Sequence, residues 1–276
     1  MRVLIVTAVP AERDAVVRGI AATAPEVAEL PVPGGVIHRL SPVPPTGRPL
    51  TVDVLAAGVG PAAAAAGTAA ALTAAAVART PYDLAVSAGI GGGFTAMPPA
   101  TTPPTTAAPT SPAPTTPRPG SAAPRLGSVV VADAIVAADL GAETPDGFAA
   151  VTDLGFGTVE HLPPAPLVAA VAEATDAVRG TVLTVSTVTG SAERAAELLR
   201  RHPHAVAEAM EGFGVAEAAA AQAVPALEVR TVSNAVGPRD RAAWRIGEAM
   251  AALTSAFATI APLLGTWTFD PEGTRQ

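Results

Sequence analysis

The fold is decided at the start of the chain, where residues 2–22 read RVLIVTAVPAERDAVVRGIAA. The apolar run at residues 3–7 is typical of a buried strand, and the Ala-rich stretch at residues 11–22 predicts a helix. Short apolar runs alternate with Ala-rich stretches along the rest of the chain as well. This alternation predicts an α/β fold in which a mostly parallel sheet is covered by helices.

The same reasoning assigns the remaining elements. Strands are predicted at residues 3–7, 50–56, 84–87, 128–138, 181–188 and 227–232. Helices are predicted at residues 11–22, 61–78, 166–178, 192–200, 212–223 and 241–264. Alanine weakens the 3.6-residue periodicity of these helices, so their existence is better defined than their ends.

One stretch, residues 96–125, does not fit the alternation. It holds 10 of the 29 prolines and seven threonines, but no aromatic and no acidic residue. Such a composition buries too little apolar surface to order itself, which predicts a disordered insertion in a single domain spanning residues 1–276. A linker between two domains is the alternative. Only three predicted strands precede the stretch, however, which is too few for a doubly wound domain.

The composition excludes several chemistries. The chain contains no Cys and no Lys, and all 17 of its basic residues are Arg. Disulfides, thiolate metal sites, cysteine nucleophiles, lysine Schiff bases and P-loop lysines are therefore excluded. The net charge is −7 and the arginines are scattered, so no basic surface is available for nucleic acid. Carboxylate, imidazole, hydroxyl and amide chemistry remains.

Two apolar segments bear on the location of the protein. The run that begins at residue 3 is ended by Pro10 and Glu12, which is too early for a signal peptide. Residues 54–78 are uncharged and long enough to span a membrane, but alanine dominates from residue 62 onward, so transfer into lipid gains little. The expectation is a cytoplasmic protein that does not associate with membranes.

Acidic and amide side chains lie at places where such a fold forms binding sites. Glu12 and Glu211 each stand at the start of a predicted helix, and Asn234, the only asparagine in the chain, follows the last predicted strand. Ligands of open α/β sheets bind at the carboxyl ends of the strands, so all three are candidates for a site. The alternatives are acids that merely complement a helix dipole and an asparagine that serves as a turn residue.

Two glycine-rich segments and four histidines complete the candidates. Residues 57–61 (AGVGP) and 87–93 (SAGIGGG) are interpreted as turns after strands, whose backbone N–H groups are available to a polar ligand. Neither is a dinucleotide fingerprint in its context, because the second is followed by the proline-rich stretch rather than by a helix. The histidines show neither metal-ligand spacing nor a Ser/His/Asp set, so no metal site is predicted.

Taken in order, these motifs resemble the nucleoside phosphorylase and nucleosidase family, specifically its hydrolytic branch with methylthioadenosine/S-adenosylhomocysteine nucleosidase. The resemblance covers nearly the whole chain except residues 96–125. It implies a single-domain nucleoside-phosphorylase-like α/β fold, with a central mixed, mostly parallel twisted sheet flanked by helices. It also implies that Glu12 activates water, that Ser87 and Gly89 line the sugar and base site, and that Met210 and Glu211 bind the ribose.

The segment that contacts the base departs from the family pattern. Where that family has Arg-Ala-Ile-Ser-Asp, residues 230–234 read RTVSN, so an amide replaces the acid. A protonated acid donates to N7 of adenine and accepts from its 6-amino group. An amide accepts from a protonated N7 and donates to O6, so Asn234 predicts that the leaving base is a 6-oxopurine.

Three further segments carry a closer resemblance. They are residues 233–244 (SNAVGPRDRAAW), 141–148 (GAETPDGF) and 187–194 (TVTGSAER). Together they resemble the futalosine hydrolases of the alternative menaquinone pathway. That resemblance implies cleavage of futalosine, an inosine extended at C5′ by a benzoate-bearing chain, into hypoxanthine and dehypoxanthine futalosine.

The closer resemblance also nominates further substrate-binding residues. Val188 and Thr189 are assigned to substrate binding. Arg239, Arg241 and Trp244 are candidates for the benzoate end of the substrate, by bidentate pairing and stacking. Surface salt bridging is the alternative interpretation for the two arginines.

The implied reaction is hydrolysis of an N-glycosidic bond through an oxocarbenium-like state. Glu12 is expected to be ionised at neutral pH at its ordinary pKa of about 4.3 and to deprotonate the water. Glu211 is expected to stabilise the sugar cation and Asn234 the departing base. The partners are a nucleoside and water, without cofactor or metal, in a homodimer or larger homo-oligomer. The alternatives are a 6-oxopurine nucleoside phosphorylase, a methylthioadenosine/S-adenosylhomocysteine-type nucleosidase and a nucleoside-binding protein without catalysis.

Overall fold

The computed structural model describes residues 1–24, 26–42, 49–95 and 123–267. The strands are β1 (Arg2–Thr7), β2 (Ala28–Val32), β3 (Gly35–Leu40), β4 (Thr51–Ala56), β5 (Leu84–Gly93), β6 (Val129–Ala137), β7 (Gly141–Thr144), β8 (Gly147–Ala150), β9 (Glu160–His161), β10 (Val178–Thr184), β11 (Ala205–Ala209) and β12 (Ala226–Ala235). The helices are α1 (Pro10–Ala21), α2 (Pro61–Val77), α3 (Ala165–Thr175), α4 (Ala192–Arg201), α5 (Gly212–Ala220) and α6 (Ile246–Thr266). A short 3₁₀ helix at Arg241–Ala243 precedes α6.

The central sheet is mixed and partly closed. Its strand order is β11-β10-β6-β12-β5-β1-β4-β3-β2, and β9 pairs with β6. β1 pairs with β5 only as far as Ser87, so the rest of that edge of β5 is available to another strand. β11 occupies it by pairing antiparallel with Gly92 and Gly93. The strands β5, β12, β6, β10 and β11 therefore form a closed ring.

Helices cover both faces of the sheet, as the alternation of apolar runs and Ala-rich stretches predicts. α1, α3 and α6 pack on one face in a core that contains Val16, Leu167 and Phe257. α2 and α5 pack on the other face through Leu72 and Val215. β1 lies between these layers, and burial on both faces explains its continuous Val/Leu/Ile run.

Small residues permit close helix packing on each side of the sheet. A Cβ at Gly19 of α1 would lie 2.3 Å from the carbonyl oxygen of Thr254 in α6. A Cβ at Gly214 of α5 would lie 2.1 Å from the carbonyl oxygen of Pro61 in α2. Both distances are far below van der Waals contact, so the alanine- and glycine-rich composition serves to bring backbones together.

The glycine turn predicted at residues 89–93 is wrong, because β5 continues to Gly93. These glycines are required by close strand packing rather than by a turn. A Cβ at Gly91 would lie 2.8 Å from the carbonyl oxygen of Glu208, and one at Gly93 would lie 2.7 Å from the side chain of Val232. No glycine of this segment has a positive φ.

Several predicted ends also differ from the structure. β10 ends at Thr184, so residues 185–188 form a loop rather than the end of a strand. α6 begins at Ile246 and not at residue 241, because the Asp240 side chain accepts a hydrogen bond from Ala242 N and holds a separate 3₁₀ turn. β2, β3, β7, β8, β9 and β11 were not predicted.

The apolar helices belong to the packed body of the protein. α6 is long and apolar enough to cross a membrane by length and composition, but Leu253, Phe257 and Leu264 are buried in the core with α1 and α3. Residues 54–78 end β4 and form α2, whose Leu72 is buried. Most of the stretch predicted as a disordered insertion, residues 96–122, lies outside the described residues. Pro124, within the predicted stretch, is buried.

Candidate active site

A cavity of about 280 Å³ opens where β1, β5, β11 and β12 end. This is the location expected for ligands of an α/β sheet. Eight of the residues predicted for the site line the cavity: Glu12, Val188, Thr189, Met210, Glu211, Asn234, Arg239 and Trp244. They come from segments far apart in the sequence, and the sheet brings them together.

The carboxylate of Glu12 is held by backbone donors. Glu12 lies in the first turn of α1 and is buried, with 3% of its surface exposed. Its Oε2 accepts hydrogen bonds from Ala8 N at 3.0 Å and Val9 N at 3.3 Å, and its Oε1 accepts one from Ile90 N at 2.9 Å. A carboxylate has about four acceptor positions, so about one remains for a water molecule.

The pKa of Glu12 is raised above its ordinary value, contrary to the sequence-based expectation. Burial is the main cause, because it disfavours the charged form. The hydrogen bond from Ile90 N and the positive charge of Arg230 lower this pKa and so partly oppose the effect. A raised pKa makes Glu12 a stronger base once it is ionised, which suits the abstraction of a proton from water.

Arg230 lies under the cavity and connects its acids. Its side chain is fully buried. Nε donates to Glu228 Oε1 at 2.8 Å, Nη1 donates to Glu211 Oε2 at 3.2 Å, and Nη2 donates to Ser87 Oγ at 2.7 Å. Burial lowers the pKa of Arg230, but the negative charges of Glu228, Glu211 and Glu12 raise it by more.

Ser87 and Gly89 lie beneath the cavity and do not line it. Ser87 is fully buried and accepts its hydrogen bond from Arg230. At Gly89 a Cβ would lie 2.6 Å from Glu12 Oε1 and 2.8 Å from Arg230 Nη1. Gly89 thus provides the space in which the acid and the guanidinium sit. Both residues thus support groups beneath the cavity, and their contact with sugar and base stays a prediction.

Glu211 lies two residues after the end of β11 and immediately before α5. It is buried, with 5% of its surface exposed. Gly60 N donates to its Oε1 at 3.2 Å, and Arg230 donates to its Oε2. The positive end of the α5 dipole also favours a carboxylate at this position. Met210 lies beside Glu211 in the cavity wall.

Asn234 has a fixed amide orientation with spare hydrogen-bonding capacity. It follows a register shift in β12 that interrupts the pairing with β5. Oδ1 accepts from Ser233 Oγ at 2.8 Å, and Nδ2 donates to the carbonyl oxygen of Ala235 at 3.0 Å. One N–H and one acceptor position remain, which is what the N7 and O6 edge of a 6-oxopurine requires.

The outer part of the cavity carries a cation and an aromatic ring. The guanidinium of Arg239 lies 5.4 Å from the centre of the Trp244 ring, within the range of a cation–π contact. Both side chains line the cavity. Arg241 does not line it; its backbone begins the 3₁₀ turn.

Sequence reasoning missed Glu208, Glu228 and the role of Arg230. Glu208 lines the cavity, and its Oε1 accepts from Thr189 N at 2.8 Å while its Oε2 contacts the Thr189 hydroxyl. Burial raises the pKa of Glu208. For Glu228 and Arg230 the available signal was the presence of charged residues inside the strand predicted at residues 227–232. Glu208 gave no such signal, because residues 205–209 (AVAEA) were not predicted as a strand. A charge in a buried strand is rare unless it is paired or functional.

Glu228 is the most deeply placed acid of the cluster. It is fully buried, and its Oε2 has no hydrogen-bond partner in the described structure. Burial raises its pKa, against the opposing charge of Arg230. Among the described residues, no group of three His, Cys, Asp or Glu side chains is arranged to hold a metal ion.

The chain resembles proteins of known family along its whole length. Residues 118–264 match the family model of the phosphorylase superfamily. The chain is 62% identical to a futalosine hydrolase of Streptomyces coelicolor over 267 residues, which cover 97% of this chain and 98% of that protein. It is 40% identical to a futalosine hydrolase of Acidothermus cellulolyticus, with 98% and 93% covered.

Solved structures show the same fold. A futalosine hydrolase of Helicobacter pylori matches with a TM-score of 0.69 and 14% identity, over 97% of this chain and 98% of that chain. A 5′-methylthioadenosine/S-adenosylhomocysteine nucleosidase of Neisseria meningitidis, in complex with methylthio-immucillin-A, matches with a TM-score of 0.69 and 16% identity, over 96% and 99%. The predicted nucleoside-phosphorylase-like α/β fold is confirmed.

Proposed function

Since this chain belongs to the futalosine hydrolases of the phosphorylase superfamily, we propose that it hydrolyses the N-glycosidic bond of futalosine to hypoxanthine and dehypoxanthine futalosine. The observation that carries the proposal within the site is the meeting of Glu12, Glu211 and Asn234 in one cavity. An acid for water, an acid for the sugar and an amide for the base are the groups that this reaction needs.

Glu12 orients and deprotonates the attacking water. Its two oxygens already accept three backbone hydrogen bonds, so its position is fixed before substrate binds. The remaining acceptor position receives a proton of the water as the water attacks C1′. A preorganised base spends little free energy on reorientation during the reaction.

Glu211 binds the sugar and stabilises the charge that develops on it. Arg230 and Gly60 N hold its carboxylate, and the remaining acceptor positions suit the 2′ and 3′ hydroxyls of a ribose. As the glycosidic bond breaks, the sugar gains positive charge close to this carboxylate. The attraction is larger in the transition state than in the ground state, which is the condition for catalysis.

Asn234 selects the leaving base. Its free N–H donates to O6 of hypoxanthine. N7 takes up a proton from solvent as the glycosidic bond breaks, and the free acceptor position of Asn234 accepts a hydrogen bond from this N7–H. Adenine would place its 6-amino donor against the amide N–H, which leaves donors facing each other. A site that hydrogen-bonds its substrate in this way rejects the mismatched analogue strongly.

The outer cavity accommodates the 5′ substituent. Arg239 can pair with the benzoate carboxylate while the ring of Trp244 stacks on its aromatic part. Arg239 is exposed, so the pairing is expected to set substrate affinity more than the rate of bond cleavage.

One comparison of substrates tests the proposal. The protein is incubated with futalosine, inosine and methylthioadenosine, each with and without phosphate, and the released base is identified by chromatography. We expect hypoxanthine from futalosine, at a rate that phosphate does not change. Phosphate-dependent cleavage would identify a phosphorylase instead, and adenine release from methylthioadenosine at a comparable rate would identify the other branch of nucleosidases. Binding without cleavage of any of them would refute an enzymatic function.

The proposal extends to four further statements about the protein. The reaction product enters the route to menaquinone. The protein is a single domain interrupted at residues 96–125 and works in the cytoplasm as a homodimer or larger homo-oligomer. Light scattering of the purified chain measures the last property directly, and a monomer mass at micromolar concentration would refute it.

A further inference from the structure

We propose that Glu208 recognises the base from the side opposite Asn234, by accepting a hydrogen bond from N1–H of a 6-oxopurine. The inference deepens the proposed function and rests on it. It gives the site a second group that distinguishes hypoxanthine from adenine, in addition to the amide of Asn234.

The sheet places Glu208 and Asn234 on the two sides of a glycine. Gly92 of β5 is the partner of Glu208 in β11 and also the partner of Asn234 in β12. Adjacent strands lie about 4.8 Å apart, so the two Cα atoms are separated by roughly 10 Å. Both side chains line the same cavity. The two residues therefore face each other across a gap in which Gly92 contributes no side chain.

Gly92 keeps this gap open. A Cβ at Gly92 would lie 3.3 Å from Asn234 Nδ2 and 2.9 Å from the side chain of Val236. Neighbouring Gly91 also lines the cavity without a side chain. A flat base can therefore lie on the backbone of β5, with its edges directed towards the two polar side chains.

Glu208 is prepared to accept a further hydrogen bond. Thr189 N–H can only donate, and it donates to Oε1, while the Thr189 hydroxyl contacts Oε2. These two interactions use about half of the acceptor positions of a carboxylate. In the part of the chain that the structure describes, Glu208 forms no ion pair, and the charge of Arg194 acts on its pKa without a salt bridge.

A purely structural role does not account for a charge at this position. Glu208 is buried, with 5% of its surface exposed, and burying a carboxylate is costly unless the charge is used. A neutral hydrogen-bonding side chain would hold Thr189 at a lower cost. A purine N1–H would stabilise the carboxylate by donating a hydrogen bond to it. The N1 lone pair of adenine would instead repel the carboxylate, because both are electron-rich.

The test compares two substrates in two variants. Futalosine and its analogue with an amino group at C6 are assayed with the unmodified protein, Glu208→Gln and Thr189→Val. Glu208→Gln removes the charge but keeps a side chain that can hold Thr189. We expect its kcat/KM for futalosine to fall roughly 10- to 100-fold, with little loss or a gain for the amino analogue. Thr189→Val, which weakens the support of Glu208 without removing its charge, is expected to affect both substrates in the same direction.

A matched control and a binding measurement complete the design. Glu193→Gln changes an exposed acid outside the cavity and is expected to leave both rates unchanged. Calorimetry with hypoxanthine and adenine is expected to show that Glu208→Gln reduces the preference for hypoxanthine about 10-fold or more. An equal fall for both substrates and for both bases would overturn the inference and assign Glu208 to holding Thr189 alone.

The inference and the proposed function can fail separately. If the unmodified protein cleaves futalosine but the ratio between the two substrates is the same in Glu208→Gln, the inference is wrong and the function stands. If the unmodified protein does not cleave futalosine while Glu208→Gln still loses its preference for hypoxanthine, the function is wrong and the recognition of the base stands.

Discussion

Replacing Glu12 by Gln disrupts the hydrogen bonds around residue 12 more than the similar shapes of the two side chains suggest. Both oxygens of the carboxylate accept backbone hydrogen bonds, from Ile90 N on one side and from Ala8 N and Val9 N on the other. Glutamine has one oxygen. Whichever way its amide is turned, its NH₂ group faces at least one backbone N–H, and that donor loses its partner.

Two effects on stability oppose each other. A buried donor without a partner costs about 1–3 kcal/mol. Against this, a neutral amide avoids the desolvation that raises the pKa of Glu12. The raised pKa means that the ionised carboxyl destabilises the fold relative to the protonated one. Its contribution is therefore fully favourable only below the unfolded pKa and is lost as pH rises through the folded pKa. The net change is expected within about 2 kcal/mol.

The effect on catalysis is larger and has one sign. Loss of a general base costs ~10²–10⁴-fold in rate, or about 3–5 kcal/mol of activation free energy. We expect this loss in kcat for futalosine at saturating substrate, measured by chromatography of released hypoxanthine. Thermal unfolding of the same sample shows whether the variant is folded, and Glu173→Gln, an exposed acid of α3, is the control. A folded Glu12→Gln protein that keeps more than about a tenth of kcat would refute the role of Glu12.

Three further outcomes are expected. The kcat/KM for futalosine should fall as the solution is acidified, with a midpoint above pH 4.5, because ionised Glu12 is the active form and burial raises its pKa. A midpoint at or below pH 4.5 would contradict this expectation. Asn234→Asp should lower kcat/KM for futalosine at least ~10-fold and favour the 6-amino analogue, and equal losses for both substrates would count against the amide. Gly89→Ala should lower kcat at least ~10-fold and cost about 1–3 kcal/mol in unfolding free energy, because its Cβ meets Glu12 Oε1 at 2.6 Å. Gly247→Ala, where the added Cβ has no neighbour within 4 Å, is the control, and the argument fails if both substitutions behave alike.

The central strands and helices were predictable because their apolar runs indicate buried segments. β1 and α1 agree with the residues expected, since a Val/Leu/Ile run and a following Ala-rich stretch have few other interpretations. β2 and β11 were missed for different reasons. β2 contains Pro31 and is mostly exposed at the edge of the sheet, whereas β11 consists of alanine, valine and a glutamate and lacks the β-branched content of a typical strand.

The site was predictable as a set of residues but not as an arrangement. Glu12, Glu211 and Asn234 stand after strands or at helix starts, which the sequence shows. The partners that hold them come from strand register, and register was not readable from this sequence alone. Ile90 N reaches Glu12 across 78 residues of sequence, and Arg230 reaches Ser87 across 143. The sequence therefore did not show that Ser87 does not line the cavity and instead contacts Arg230, or that Gly89 leaves space for Glu12 and Arg230.

The charge balance under the cavity connects these supporting contacts to the reaction. Three carboxylates, of Glu12, Glu211 and Glu228, surround the single guanidinium of Arg230. Burial raises the pKa of Glu228, and the charge of Arg230 lowers it. Three acids therefore face one guanidinium beneath the cavity. The positive charge that develops on the sugar in the transition state is attracted to these acids. The neutral sugar of the ground state is attracted much less, so the interaction lowers the activation free energy.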